Sequence, residues 1–198
     1  MNFDPQKIYS SLSRSIKGDI LIDILNRQAY STDASIFQIT PVCIIAPKDA
    51  EDISAAVKYA SEKDIPIAPR GAASGVAGES LTEGILLDTC RYMKEIIGYD
   101  QEDKTITAQP GVVLDKINEY LFPFGRKIGP DPSSSNRAVL GGCVANNATG
   151  AHCLAYGYIA DHIQSLEAVL HDGTIVTFKN DCDPENIDDP TAADIASK

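Results

Sequence analysis

A glycine-rich segment that directly follows a strand-like apolar run is the first place where this sequence could bind a ligand. Residues 69–78 read Pro-Arg-Gly-Ala-Ala-Ser-Gly-Val-Ala-Gly. Glycines let the backbone approach a ligand without a Cβ in the way, and successive N–H groups can form a concave nest for an anion. Ser74 adds a hydroxyl donor, and Arg70 is the nearby cation. The segment therefore predicts a cradle for a phosphate or a diphosphate, and a tight structural loop is the alternative.

The spacing of these glycines excludes two common phosphate-binding motifs. No Gly-Lys-Ser/Thr run ends the segment, so it is not a Walker loop. The glycines stand at positions 71, 75 and 78 instead of forming Gly-x-Gly-x-x-Gly, and no helix pattern follows, so the segment is not the Rossmann fingerprint. The glycines alone therefore do not identify the fold.

A second segment rich in glycine, proline and small residues covers residues 129–150. Its prolines stiffen a loop, and Gly141-Gly142 at the start of a small-residue helix would expose N–H groups at the positive end of the helix dipole. Asn146 and Asn147 offer amide donors and acceptors, and the small residues let a flat ligand pack against backbone. A buried, turn-rich core is the alternative. Together, two separate backbone-lined cradles suit a dinucleotide laid between two subdomains.

The elements that would position these two segments follow from hydrophobic periodicity. Residues 42–46, 65–68 and 85–88 are short apolar runs typical of strands, and apolar residues at 53, 56, 57 and 60 mark one face of a helix. Pro66 suits an edge strand. Further along, residues 105–108 alternate like a strand, 114–121 favour a helix, and 163–178 predict a hairpin that turns at Asp-Gly.

These elements predict an α+β fold made of several parts, with the ligand in the crevice between two subdomains. A polar run at residues 101–104 is interpreted as the hinge between them. The predicted parts are a helical or irregular segment (1–40), a small β-α-β subdomain (41–100), a mixed, mainly antiparallel sheet with helices (101–178), and an acidic tail or the start of a further region (179–198).

Taken in order along the chain, these motifs resemble one known family. It is the FAD-binding domain of the vanillyl-alcohol oxidase/PCMH superfamily, in the branch of D-2-hydroxyacid dehydrogenases to which a glycolate oxidase component also belongs. The resemblance covers residues 30 to 178. It is carried by Pro69-Arg70-Gly71, Ser74, Gly78, Leu87-Asp88, Gly111, Pro132-Ser133, Gly141-Gly142, Asn147, Gly150, Tyr156-Gly157, Asp161 and Asp172-Gly173.

The resemblance implies a two-subdomain, PCMH-type fold and an FAD site. In such proteins the first segment wraps the FAD diphosphate through backbone N–H groups, and the second lines the rest of the cofactor. The matching residues of the first segment are Arg70, Gly71, Ala72, Ala73, Ser74, Gly75 and Gly78. Those of the second are Pro132, Ser133, Val139, Gly141, Gly142, Asn147 and Gly150, with Ile163 in backbone contact further on.

Four positions refine this expectation. Ala73, Gly75 and Val139 depart from residues common in the family, and Val139 removes a hydroxyl donor that a threonine would offer. Relatives that attach FAD covalently often carry histidine at the position that matches Ser74. Serine cannot form that link, so we expect noncovalent FAD.

The activity implied by the resemblance is oxidation of a D-2-hydroxy acid of the lactate, glycolate or 2-hydroxyglutarate type, by hydride transfer to flavin N5. In the family a C-terminal cap domain largely supplies the carboxylate clamp and the base, and 198 residues leave no room for one. We therefore expect the FAD-binding portion of a longer enzyme with no catalytic residue of its own, a small-molecule substrate bound through the cap, and an electron-acceptor partner. Two alternatives are a UDP-N-acetylenolpyruvoylglucosamine reductase type of flavin enzyme and a non-catalytic flavin-binding or electron-transfer subunit.

Charge and residue composition argue against several other classes of function. A net charge of −11 argues against a nucleic-acid or anionic-membrane surface. No signal peptide or membrane-spanning run is read, which favours a cytoplasmic location with peripheral attachment to the inner face of a membrane left open. The five cysteines lack C-x-x-C spacing and the three histidines lack metal-site spacing, so we expect buried free thiols and no metal site. The acids at 181–189 are interpreted as a solvated tail.

Overall fold

The computed structural model describes residues 3–180, and it opens with a capped helix, α1 (Pro5–Leu12). The Asp4 carboxylate accepts the Gln6 N–H at 2.9 Å, and Pro5 occupies the first turn, where no N–H is needed. Ile8 and Leu12 are buried on the face that packs into the first core. The predicted helical start is therefore confirmed, and a short helix α2 (Ile24–Ala29) follows it.

A four-stranded mixed sheet forms the first half of the molecule. Its order is β1-β2-β4-β3, with β1 antiparallel to β2 and the other neighbours parallel. The predicted β-α-β unit is present as β2, helix α3 (Ala50–Glu62) and β3, with β4 inserted between its two strands. Pro66 precedes an edge strand, as predicted. The strands are β1 (Asp19–Leu21), β2 (Cys43–Ala46), β3 (Ile67–Arg70) and β4 (Ile85–Asp88).

The buried carboxylate of Asp52 ties helix α3 to the sheet. It is fully buried and accepts the backbone N–H groups of Lys17, Gly18 and Lys48 at 2.7, 2.9 and 2.9 Å. Three donors satisfy a charge that would otherwise be strongly disfavoured away from water. This network fixes the chain before β1 and the start of α3 against the end of β2.

A hairpin and a helix form a second core. Strands β5 (Ile96–Asp100) and β6 (Thr105–Ala108) pair antiparallel, and helix α4 (Leu114–Leu121) follows, ending at a 3-10 turn that contains Pro123. Residues 101–104, expected to be a hinge, are the turn of this hairpin. Turns and hinges are both short polar runs, so composition could not separate them. A division after residue 100 would separate two paired strands, and the domain boundaries themselves stay predictions.

The remaining elements begin within the second segment and continue beyond it. Two short helices, α5 (Leu140–Ala145) and α6 (Cys153–Tyr156), precede a 3-10 turn at Ile159–His162. The predicted hairpin is present as β7 (Ser165–Val169) and β8 (Ile175–Lys179). Its turn is held on α3, because the Ser54 hydroxyl donates to the Gly173 carbonyl. From residue 96 onward the antiparallel pairing thus forms two separate hairpins, and most of the predicted acidic tail, residues 181–198, lies outside the described residues.

Candidate functional site

One cleft of about 600 Å³ brings the two predicted segments together. The first segment contributes its start, and the second contributes its serine run, although some sixty positions of sequence separate them. A third contribution, which the sequence did not indicate, comes from the bend before β2. The lining residues are Thr32, Asp33, Ala34, Arg70, Ala72, Ala73, Ser74, Ser133, Ser134 and Arg137.

The first segment presents backbone donors that have no acceptor in the protein. Among the described residues, the N–H groups of positions 71–76 donate to no backbone or side-chain oxygen. Ala73 has a φ of +53°, an uncommon conformation for a residue with a side chain, and its carbonyl accepts the Ala34 N–H at 3.1 Å. Unpaired donors in a concave loop at a cleft are a suitable site for an anion.

Gly71 is required by close packing beneath the loop. A Cβ on Gly71 would lie 2.4 Å from Cγ2 of Val139, which is buried at 3% exposure. The predicted contact residue Val139 therefore has its side chain under the loop and leaves only its backbone for a ligand. The two segments touch at this point, and the contact fixes the position of the first N–H groups.

The far half of the first segment is braced by the protein itself. Gly75 lies against the Glu79 carboxylate, which also accepts the Ala77 N–H at 3.1 Å. Gly78 has a φ of +81°, and a Cβ there would lie 2.9 Å from the Phe37 ring. The structure therefore places the predicted residues Gly75 and Gly78 outside the lining of the cleft, in contact with these neighbouring side chains.

Arg70 lines the cleft but directs its hydrogen bonds at the backbone before β2. Its guanidinium donates to the carbonyls of Tyr30 and Thr32 at 3.4 and 2.8 Å and lies 5.3 Å from the Tyr30 ring centre. Burial lowers the pKa of this guanidinium, and the charge of Asp33 opposes that effect. Burial and a hydrogen bond to Asp88 raise the pKa of Tyr30 to about 12. Arg70 thus holds the bend at residues 30–34 against the loop.

Asp33 is an anionic group in the same cleft. Burial, which would raise the pKa of Asp33, is outweighed by hydrogen bonds from Ser35 and Ser80 and by the charge of Arg70, so the pKa is lowered. Asp33 therefore stays ionised at neutral pH. Its charge and that of Arg70 offset each other.

Arg137 is a second cation at the cleft that sequence reasoning missed. It is exposed, and within residues 3–180 its guanidinium has no ion pair and no hydrogen bond. Its backbone N–H donates to Ser134 at 2.8 Å, which anchors it in the turn before α5. A single arginine next to a serine run carries no motif, so only its position in the fold reveals it.

The second segment is largely bonded to itself. The Asp131 carboxylate accepts the His152 N–H at 3.1 Å and pairs with the His152 ring, and these bonds lower the pKa of Asp131. A Cβ on Gly150 would lie 2.0 Å from the Asp131 carbonyl oxygen. Gly150 therefore allows two stretches of backbone to approach each other. The sequence predicts a ligand contact at this position, whereas the structure shows this glycine in close packing.

Asn147, Ile163 and Pro132 also use their polar groups locally. The Asn147 side chain accepts the Ala160 N–H at 3.2 Å, and the half-buried Ile163 donates its N–H to the Ala160 carbonyl at 3.2 Å. The Pro132 carbonyl accepts the Ser135 N–H at 2.9 Å. These three predicted residues lie outside the lining of the cleft, whereas Ser133 lies in it.

The predicted helix start at Gly141-Gly142 offers fewer free N–H groups than expected. Helix α5 has only six residues, and the Gly141 N–H donates to the Pro110 carbonyl at 2.8 Å. A Cβ on Gly141 would meet Pro110 at 2.6 Å, whereas one on Gly142 would meet only Val139, at 3.7 Å. Gly142 is thus the more open of the two glycines.

The thiols differ in exposure more than predicted. Within the described part of the chain, four cysteines are free and none is paired. Cys43 and Cys143 are buried, and burial raises the pKa of their thiols to about 12 and about 11. Cys153 is exposed, so the expectation of buried thiols is wrong there.

Neither a metal site nor a membrane-spanning helix is found among residues 3–180. No three metal-ligating side chains gather there. None of the helices in this part of the chain is long and apolar enough to cross a bilayer.

Comparison with known proteins identifies a family and two groups of relatives. The family model described as FAD binding domain matches residues 41–179. D-2-hydroxyglutarate dehydrogenase of Pantoea ananatis is 36% identical over 167 residues, which are 83% of this chain and 16% of that protein. Glycolate oxidase subunit GlcD of Bacillus subtilis is 36% identical over 152 residues, 76% of this chain and 32% of that protein. These relatives are of the branch that the sequence resembles.

A solved structure shows the same fold. Alkyldihydroxyacetonephosphate synthase superposes with a TM-score of 0.78 at 22% identity, covering 92% of this chain and 36% of the other. The predicted α+β, PCMH-type FAD-binding fold is confirmed. The chain spans about a sixth to a third of the length of the relatives named above.

Proposed function

Because the chain belongs to the family of FAD binding domains, we propose that it is the FAD-holding part of a dehydrogenase that oxidises a D-2-hydroxy acid. One observation carries the proposal: residues 72–74, whose N–H groups have no acceptor among the described residues, line one cleft with Ser133 and Ser134 of the second segment. The named relatives, a D-2-hydroxyglutarate dehydrogenase and a glycolate oxidase subunit, support the substrate class.

The donors in the cleft fit the FAD diphosphate. Diphosphate oxygens accept hydrogen bonds, and the cleft offers backbone N–H groups, the hydroxyls of Ser74 and Ser133, and arginine. A Cβ at Gly71 has no room, so the backbone at the start of the loop stays close to Val139. The volume of about 600 Å³ is within the range of small-molecule sites.

The residues of this chain bind and orient the cofactor. When bound, FAD would supply the hydride acceptor for oxidation of the 2-hydroxy acid. The N–H groups of 71–74 and the Ser74 hydroxyl hold the diphosphate, while Val139 fixes the loop from below. The Arg70 bonds to residues 30 and 32 hold the third wall of the cleft. A loop fixed before binding loses little entropy when the ligand arrives.

The proposal includes noncovalent attachment, a separate substrate domain and a redox partner. The cleft lining contains Ser74 and no histidine or cysteine within the described residues, which supports noncovalent FAD. The proposal assigns the substrate clamp and the base to a cap domain, and electron acceptance to a partner, as the resemblance to the family implies. A cytoplasmic location, free or peripheral to the inner membrane face, is supported by the unpaired thiols.

The test begins with an absorbance scan of the purified 198-residue chain after addition of FAD and desalting. We expect weak FAD binding by this chain, because the cap domain that the resemblance implies helps enclose the flavin, and acid should release any flavin that is retained. The complete gene product is then mixed with D-2-hydroxyglutarate, D-lactate, glycolate and NADPH in turn. Bleaching of the flavin by a D-2-hydroxy acid supports the proposal. A colourless gene product, covalently retained flavin, or reduction by NADPH alone would contradict it.

A further inference from the structure

We infer that Arg137, and not Arg70, supplies the positive charge that pairs with the FAD diphosphate in the cleft. The inference rests on the proposed function and adds a residue that neither the sequence motifs nor the comparisons indicate.

Arg70 already has partners within the protein. Its guanidinium donates to two backbone carbonyls, lies over the Tyr30 ring and is half buried. Turning toward a ligand would leave the carbonyls of Tyr30 and Thr32 without this donor, and a lost bond to a charged group is unfavourable. Arg70 therefore acts on the cofactor through the position of the bend at residues 30–34.

Arg137 carries the positive charge of the cleft lining that no carboxylate of the lining offsets. The lining contains two arginines and one carboxylate, Asp33, whose charge acts on Arg70. The remaining positive charge is on Arg137. The whole chain carries a net charge of −11, which repels an anionic ligand, so a local cation has a larger effect here than on a neutral protein.

The backbone of Arg137 is fixed by hydrogen bonds, whereas its guanidinium has no partner in the described part of the chain. Its N–H donates to Ser134 at 2.8 Å, and the next residue, the buried Ala138, donates to the same carbonyl at 2.7 Å. The backbone is thus held in a tight turn, and the exposed guanidinium has no partner within residues 3–180. Five N–H donors in a planar fork match the geometry of phosphate oxygens.

The test measures FAD affinity by flavin fluorescence for the wild-type 198-residue chain and for Arg137→Gln. We expect the variant to bind FAD about tenfold more weakly, between the values for an exposed ion pair and for a charge-assisted hydrogen bond. Its affinity should also depend less steeply on salt, because one ionic contact is gone. Arg137→Lys should keep part of the affinity, since a point charge remains without the planar fork.

Two control variants separate this effect from folding and net charge. Arg126→Gln makes the same change in net charge at an exposed arginine that does not line the cleft, and it should bind FAD as the wild type does. Arg70→Gln should lower the thermal midpoint without FAD, whereas Arg137→Gln should not. Equal FAD affinity and equal salt dependence in wild type and Arg137→Gln would overturn the inference and leave the proposed function standing. Failure of the wild type to bind FAD would overturn both.

Discussion

The two glycine-rich segments meet at one cleft, yet they use their small residues differently. In the first, the N–H groups of residues 71–76 have no acceptor among the described residues. In the second, Gly141 packs on Pro110 and Gly150 packs on Asp131, and their neighbours bond to each other. We propose that the first segment is the ligand surface and that most of the second is the support that holds Ser133 and Val139 against it. Small residues in a loop can therefore serve either ligand contact or the close approach of two backbones, and only the folded structure separates the two.

The largest loss of FAD affinity is expected from Gly71→Asp, which places a side chain and a charge in the first segment. The new Cβ would lie 2.4 Å from Val139, and the carboxylate would enter a site built for an anion. We expect FAD affinity to fall by more than about a hundredfold, which corresponds to roughly 3 kcal/mol. Fluorescence titration measures it, with circular dichroism as the check on folding. A folded variant that binds FAD like the wild type would remove this loop from the site.

A smaller effect, on stability without FAD, is expected from Gly150→Ala in the support. The added Cβ would lie 2.0 Å from the Asp131 carbonyl oxygen, and backbone on both sides must shift. We expect the free energy of unfolding to fall by about 1–3 kcal/mol, the usual penalty for an overpacked site. Urea unfolding of the apo chain measures this loss. Unchanged stability would show that the two stretches are not held together and would weaken the comparison.

The Asp131–His152 pair in the second segment predicts that the thermal stability of the chain depends on pH. The folded pKa of Asp131 is lowered from 3.8, so its ionised form stabilises the fold above that value, and the contribution is lost as pH falls through the lowered pKa. Wild type should melt higher than Asp131→Asn at pH 5 and above, and the two midpoints should converge below about pH 4. A difference that stays constant down to about pH 2.5 would contradict this assignment.

The smallest effect is expected from Gly142→Ala, the matched control for Gly71. Its Cβ would make only an ordinary contact, 3.7 Å from Val139, within helix α5. Alanine should stabilise the apo chain by about 0.5–1 kcal/mol, because glycine loses more backbone entropy in a helix. The same urea experiment measures it. Lower apo stability would contradict the open environment of Gly142, and a large loss of FAD affinity alone would place the cofactor over this glycine.

Much of the fold could be predicted because its signals are local. The strands β2 and β4 are fully buried, and buried parallel strands are continuous apolar runs in the sequence. Pro66 indicated the edge strand, and Asp172-Gly173 indicated the β7–β8 turn. Residues 101–104 were misinterpreted because a hairpin turn and an interdomain hinge have the same polar composition.

The site could be predicted only in part because tertiary contacts decide which residues face the cleft. The sequence indicated Ala72, Ala73, Ser74 and Ser133, which line it. It could not show that the Glu79 carboxylate occupies the side of Gly75, or that Val139 lies beneath the loop. Arg137 had no signal at all, because a lone cation acquires a role only when the turn before α5 brings it beside the first segment.

Hydrogen–deuterium exchange of the 198-residue chain, with and without FAD, tests the central claim most directly. We propose that the unpaired N–H groups of residues 71–74 bind FAD. Saturating FAD should slow exchange in peptides that cover these residues and leave β5–β6 unchanged. No FAD binding, or binding that leaves exchange at residues 71–74 unaffected, would contradict this proposal.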